Sequence, residues 1–103
     1  LFLIPFLFNC PRCIVVLQAL DDETEDVLDC LTAQGDELLI SVLTHAGLRS
    51  IFPQARWQCA ELLGRRSIPD GMALLRQYAN DRDAYVAKRA RNAMKAITGN
   101  KNG

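Results

Sequence analysis

Cys59-Ala-Glu-Leu-Leu-Gly64 is the stretch on which the fold turns. Shifted forward by 31 residues it lies over Ala90-Arg-Asn-Ala-Met-Lys95, and shifted back by 31 it lies over Leu28-Asp-Cys-Leu-Thr-Ala33. The overlay stacks Leu28, Cys59 and Ala90 in one column and Leu31, Leu62 and Ala93 in the next. A shift of 32 aligns Val42-Leu43 with Leu74-Leu75 in the intervening stretches, and Gln18-Ala-Leu-Asp-Asp22 matches Gln77-Tyr-Ala-Asn-Asp81. A period just above 30 that holds two helices points to a helical solenoid. One helix pair cannot bury its own apolar stripe, whereas stacked pairs share a continuous core.

The local patterns agree with helices. Leu39, Val42, Leu43 and Ala46 follow the i, i+3, i+4, i+7 spacing of one helix face. So do Ala55, Cys59, Leu62 and Arg66, with the last position turned polar, and Val86, Ala90, Ala93, Met94 and Ile97. No segment alternates with period two, and no Asn-Gly or Asp-Gly step sits as a hairpin turn between alternating apolar runs. Breakers divide the chain: Gly35 before Asp36 and Glu37, Gly47 to Ser50 before Pro53, Ser67-Ile-Pro-Asp70, and Asp81-Arg-Asp83 with Asp83 placed to cap a helix. The spacing predicts helices near 12–20, 23–34, 36–46, 53–65, 69–80 and 84–97. The expected organisation is an apolar leading segment over 1–20, a repeat domain over 21–98 and a polar tail over 99–103.

Ala55-Arg-Trp-Gln-Cys-Ala-Glu-Leu-Leu-Gly64, then Pro69-Asp70, Leu74-Leu75 and Asp81-Arg-Asp-Ala-Tyr-Val86, resembles the HEAT-like repeats of the bilin-lyase type. That family runs Val-Arg, two residues, Ala-Ala, then Ala-Leu-Gly, an Asp-Pro turn, a Leu-rich helix and an Asp-x-Asp before the next Val-Arg. The likeness covers roughly residues 20–98 and is best from 55 to 97, with three departures: Ala87 stands where the family has Arg, Pro69-Asp70 reverses the turn order, and the repeat containing Thr24 to Ala46 is degenerate. The resemblance implies an all-α, short right-handed α-solenoid of about three HEAT-like helix pairs. It also implies that the second helix of each pair, here 36–46 and 69–80, lines a concave surface. With Leu39, Val42, Leu43, Leu74, Leu75 and Tyr78 turned inward, Ser41, Thr44, His45, Ala73, Arg76, Gln77 and Asn80 face out. Thr44, His45, Arg76, Gln77 and Asn80 are the candidate partner contacts.

Other constellations have a bland reading that outweighs the chemical one. Cys10-Pro-Arg-Cys13 has the spacing of half a zinc site or a redox pair, but no second pair follows, and Cys30 and Cys59 stand 29 residues apart. The four cysteines read as reduced, mostly packed thiols. His45 is the only histidine, so the repeated His-Glu ligand pairs of HEAT-like hydroxylases are missing, and His45 reads as a solvent-facing helix residue. Trp57 beside Arg56 invites comparison with HEAT-like DNA glycosylases, yet a single Trp at helical spacing from Ala60 and Gly64 reads as a ring packed over small residues. The acids from Asp21 to Glu37 lack the glycine and ligand spacing of an EF-hand and read as a solvated face. In the leading segment Pro5, Asn9, Pro11 and Arg12 interrupt the apolar run well short of the about 18 residues a membrane helix needs.

The formal net charge of the 103 residues is zero, which makes nucleic acid a weak expectation. That zero conceals a division. Residues 1–48 carry one base and eight acids, a net of −7; residues 49–103 carry eleven bases and four acids, a net of +7. At about 100° per residue Lys88, Arg91 and Lys95 share one stripe, which completes the candidate contacts. The expected function is that of a cytoplasmic, non-catalytic scaffold for protein–protein binding or assembly, without cofactor or metal. Its partner is a protein with an acidic surface, or the acidic end of another copy. The alternatives are a subunit of a chromophore lyase or other enzyme, with Cys10 or Cys13 as the thiol, and a weak nucleic-acid binder working through the basic C-terminal helix.

The cysteine reading has a direct check. Elemental analysis of protein purified without chelator is expected to find far less than one zinc per chain. Stoichiometric zinc that disappears in Cys10→Ser would overturn it.

Overall fold

The computed structural model describes residues 26–102, with side chains as far as Gly99. Every regular element among them is a helix: α1 (Asp26–Gln34), α2 (Glu37–Gly47), α3 (Pro53–Arg65), α4 (Gly71–Tyr78) and α5 (Ala84–Asn102). The helix expected at 12–20, the start of the one expected at 23–34, and Cys10 and Cys13 lie outside the described residues.

The helix starts follow from the local chemistry. Asp36 caps α2, its Oδ1 accepting from Leu39 N at 2.7 Å. Pro53 occupies the first turn of α3, where a missing N–H costs nothing. Asp83 caps α5 as its position in the sequence suggests, with Oδ1 accepting from Tyr85 N at 2.9 Å and Val86 N at 3.1 Å. Two bounds differ from expectation. Pro69 and Asp70 form a turn closed by Gly71 N donating to Ile68 O, so α4 begins at Gly71 and is short. At the other end α5 runs on past 97 to Asn102, through residues assigned to a tail. Thr98 Oγ1 bonds back to the carbonyls of Met94 and Lys95.

The central element is α3, which packs against α1, α2, α4 and α5, most extensively against α5. Small residues allow the closest approaches. A Cβ on Gly64 would stand 2.8 Å from Ala93 Cβ of α5, and one on Gly47 would stand 2.5 Å from the Tyr78 hydroxyl and 2.6 Å from Cys59 Sγ. Both columns read from the 31-residue shift are buried: Leu28, Cys59, Leu62 and Ala90 completely, Leu31 and Ala93 nearly so.

On α2 three of the four residues expected inside, Val42, Leu43 and Ala46, are buried, but Leu39 is exposed; Ile40, Thr44 and Gly47 are buried as well, so the buried face is rotated toward Ile40. Thr44 is therefore no surface contact. Its hydroxyl donates to Ile40 O at 2.7 Å, and its own carbonyl accepts from the Tyr78 hydroxyl at 2.6 Å. The rotation follows from Gly47. Only a residue without a side chain fits against Cys59 and Tyr78, and the positions three, four and seven before it turn inward with it.

Polar groups bind the loops to this core. Arg56 is almost wholly buried. Its Nε and Nη2 donate to the two carboxylate oxygens of Asp81 at 2.9 and 3.2 Å, and its Nη1 donates to Ser50 O at 2.9 Å. Asp81 Oδ1 also accepts from Asp83 N at 2.9 Å, which shapes the turn into α5. Arg66 lies just past the end of α3, outside the apolar stripe in which the spacing placed it. Its Nη1 donates to Gly35 O at 2.8 Å and Thr32 O at 3.2 Å and so caps the C-terminus of α1. No buried side-chain N or O among the described residues lacks a partner.

Leu62→Ala and Leu75→Ala are each expected to destabilise the fold by about 2–5 kcal/mol in urea titration, the usual range for truncating a fully buried leucine. Arg56→Ala is expected to cost about 3–5 kcal/mol, since it leaves the Asp81 carboxylate buried and unpaired. Arg56→Lys should recover little of that, because an ammonium cannot make the two parallel bonds. Unchanged urea midpoints would contradict the packing described.

Candidate functional site

Both α2 and α4 lie on α3 and have no extensive interface with each other. Between them runs a cleft of about 510 Å³, with a smaller one of about 320 Å³ adjoining it at Asp70. The α2 side is a single i, i+4 stripe of Glu37, Ser41, His45 and Arg49. Asp70, Ala73 and Gln77 of the facing segment form the other side, and Leu48 and Leu74 supply apolar surface. Leu38, strongly exposed, stands at the end near Pro69.

His45 bridges the cleft. Nε2 lies 3.1 Å from Asp70 Oδ2, and Nδ1 lies 2.7 Å from Ser41 O. It is half-buried and engaged on both sides, in contrast to the free, solvent-facing residue expected from the sequence. Both facing groups are acceptors, so in this arrangement each ring nitrogen donates, Nδ1 to the Ser41 carbonyl and Nε2 to the Asp70 carboxylate. Both ring nitrogens are thereby taken up in holding α2 to the start of α4, an arrangement suited to fixing the width of the cleft. Arg49 is exposed at the far end.

Of the candidate contacts, the structure brings His45 and Gln77 together across this cleft. Arg76 and Asn80 are exposed but line neither cleft. Lys88, Arg91 and Lys95 are exposed on α5, away from the groove. Arg49, Asp70, Leu48 and Leu74 escaped the sequence reading. The sequence spacing already turns Ser41, His45, Ala73 and Gln77 outward; Arg49 and Asp70 were missed because they lie in the turns that flank α2 and α4.

Two further clusters resolve into packing. Trp57 is buried beneath α5, with Tyr85 edge-on at 5.6 Å and the Arg89 guanidinium 4.4 Å from the ring centroid. The small residue Gly64, expected beneath the indole, faces Ala93 instead. Burial works against the charge of Arg89, but the Glu61 carboxylate at 2.9 Å and the Tyr85 hydroxyl more than offset it and raise its pKa. Cys59 is completely buried. Burial pushes its thiol up to about 12, against a smaller lowering by the Tyr78 hydrogen bond, so it stays protonated and unreactive at neutral pH. Cys30 is exposed. No group of three His, Cys, Asp or Glu side chains among the described residues is placed to hold a metal. No described helix is long and apolar enough to cross a membrane.

Cys59 and Tyr78 generate a pH prediction. Burial raises both above their ordinary values of 9.0 and 10.0, Tyr78 with further upward contributions from Cys59 and Asp81. The folded chain therefore retains protons that the unfolded chain releases, and their contribution to stability is complete below pH about 9 and lost as the pH climbs toward 12. Urea midpoints are expected to fall progressively over that window. In a Tyr85→Phe variant, phenolate absorbance should appear only together with unfolding. Alkylation followed by peptide mass spectrometry should label Cys30 in the native protein and Cys59 only in denaturant.

Comparison of the chain with protein-family models, with curated proteins and with solved structures finds no match.

Proposed function

We propose that this chain is a non-catalytic helical-repeat scaffold that holds a protein partner in the groove between α2 and α4. One observation carries the reading: two helices share a neighbour but leave an open cleft, with apolar surface at Leu48 and Leu74 and polar groups at His45, Arg49, Asp70 and Gln77. Mixed apolar and polar lining of this kind suits recognition of another chain.

The repeat reading has independent support. Helices two apart in sequence, α1 with α3 and α3 with α5, lie against one another, as first helices do in a stack of helix pairs. The residues that a 31-residue shift superimposes are buried in the same interfaces. On this reading α2 and α4 are the second helices and the groove belongs to the concave face. The nitrogens of His45 are committed to structural contacts, and the Cys59 thiol is buried, which favours binding over catalysis.

Affinity capture from source cells tests it, comparing the parent with Ala73→Glu/Gln77→Glu, two exposed groove positions, and with Arg82→Glu as a control outside the groove. The groove variant is expected to lose a specific partner by about tenfold or more, the effect of losing about 1.4 kcal/mol at an interface. The control is expected to keep it. Equal recovery by parent and groove variant would overturn the proposal.

A further inference from the structure

Given that the groove between α2 and α4 is the partner site, we propose that it takes an extended segment of that partner, basic at the end near Glu37 and acidic at the end near Arg49. The α2 stripe that lines the groove begins with a carboxylate and ends with a guanidinium. Both groups are exposed, and neither forms an ion pair among the described residues. Elsewhere the arginines of the helix contacts are absorbed: Arg56 by Asp81, Arg65 by Glu61 and Asp29, Arg89 by Glu61. Glu37 and Arg49 cannot satisfy one another, because the rise of about 1.5 Å per residue sets them about 18 Å apart. Two opposite charges thus stand open at the two ends of one groove.

The facing wall sharpens the polarity. Asp70 lines the Glu37 end as well; its Oδ2 meets His45, while its Oδ1 caps nothing and faces the opening. A cation arriving there therefore meets two carboxylates, and one arriving at Arg49 meets a guanidinium. Leu48, next to Arg49, and Leu74 give apolar surface between the charged ends. The dimensions select the form of the occupant. Clefts of about 510 and 320 Å³ spread along that length amount to a channel about 7 Å across, narrower than the about 10–12 Å of a helix with its side chains. A single extended chain fits, and at about 3.3 Å per residue it covers the length in about six steps. Side chains two, four and six positions apart point the same way. The recognised pattern is then a base and an acid six residues apart, with apolar side chains at the even positions between them.

The test is fluorescence anisotropy of the whole chain with dye-labelled, terminally capped peptides. The probes are Lys-Thr-Leu-Thr-Leu-Thr-Glu and the same peptide with Lys at both ends or Glu at both ends. At about 20 mM salt the parent is expected to bind the mixed peptide about three- to tenfold tighter than either like-ended one, the size of turning one exposed ion pair from attraction to repulsion. That preference is expected to vanish at about 0.5 M salt, where screening shortens to a few Å. Arg49→Glu is expected to move the preference to the Lys-ended peptide, and Glu37→Lys to the Glu-ended one. Circular dichroism verifies that both variants remain helical. Ala73→Glu/Gln77→Glu is expected to weaken all three peptides. A preference unchanged by Arg49→Glu and Glu37→Lys overturns the proposal. So does equal binding of the three peptides by the parent, or no binding of any at about millimolar concentration, a free energy near 4 kcal/mol. Each of these leaves the groove as the partner site so long as Ala73→Glu/Gln77→Glu still loses the captured partner; equal capture removes both readings.

Discussion

A single buried guanidinium organises the loops of this small protein. Arg56 extends from α3, the helix that every other described helix touches, and its donors reach the segment before α3 through Ser50 and the segment before α5 through Asp81. An arginine that is nearly inaccessible to water is tolerable only when its donors meet acceptors, and here a carboxylate takes two of them side by side. The same carboxylate accepts the Asp83 N–H and so shapes the turn that launches α5. The register of α5 on α3, with Ala93 against Gly64, rests on that turn. The ion pair is best regarded as a device for fixing which loop conformations are compatible with the core, more than as a net source of stability.

Around this hub the helices approach each other unequally, and the groove is a consequence. Gly47 admits the Tyr78 hydroxyl and Cys59 to the backbone of α2, and Tyr78 in turn donates to the Thr44 carbonyl. These contacts draw α2 toward the inner end of α4. At the start of α4, where Pro69 and Asp70 form a turn instead of a helical ridge, the imidazole of His45 and the Asp70 carboxylate span the gap. A cleft spanned by one polar bridge is an opening that side chains of a partner can enter without disturbing the core.

Charge is distributed along the chain by a separate rule. The core needs small and apolar residues at fixed positions of α1, α3 and α5, and it leaves their outer faces unconstrained. On α3 the outward arginines are absorbed: Arg65 pairs with Glu61 and Asp29, and Arg66 caps α1. On α5 only Arg89 is absorbed, by Glu61 and the aromatic pair. What stays exposed is therefore acidic at one end of the sequence and basic at the other, a separation that the zero net charge conceals.

The sequence alone determined the class of fold, the helix starts at Asp36, Pro53 and Asp83, and the columns Leu28–Cys59–Ala90 and Leu31–Leu62–Ala93. These depend on spacing and on caps, which are local properties repeated along the chain. The tertiary structure decided the rotation of α2. Leu39 and Ile40 are equally apolar, and only the contact of Gly47 with Cys59 and Tyr78, residues 12 and 31 positions further on, selects Ile40 for the core. Ser41, His45, Ala73 and Gln77 are placed outward by spacing alone, but that they line one cleft with Asp70 depends on how α2 and α4 sit on α3. Arg56 and Asp81 each stand in the stretches that resemble a repeat motif, but their pairing across 25 residues was not legible, because nothing in a linear sequence states which buried charge will find which partner.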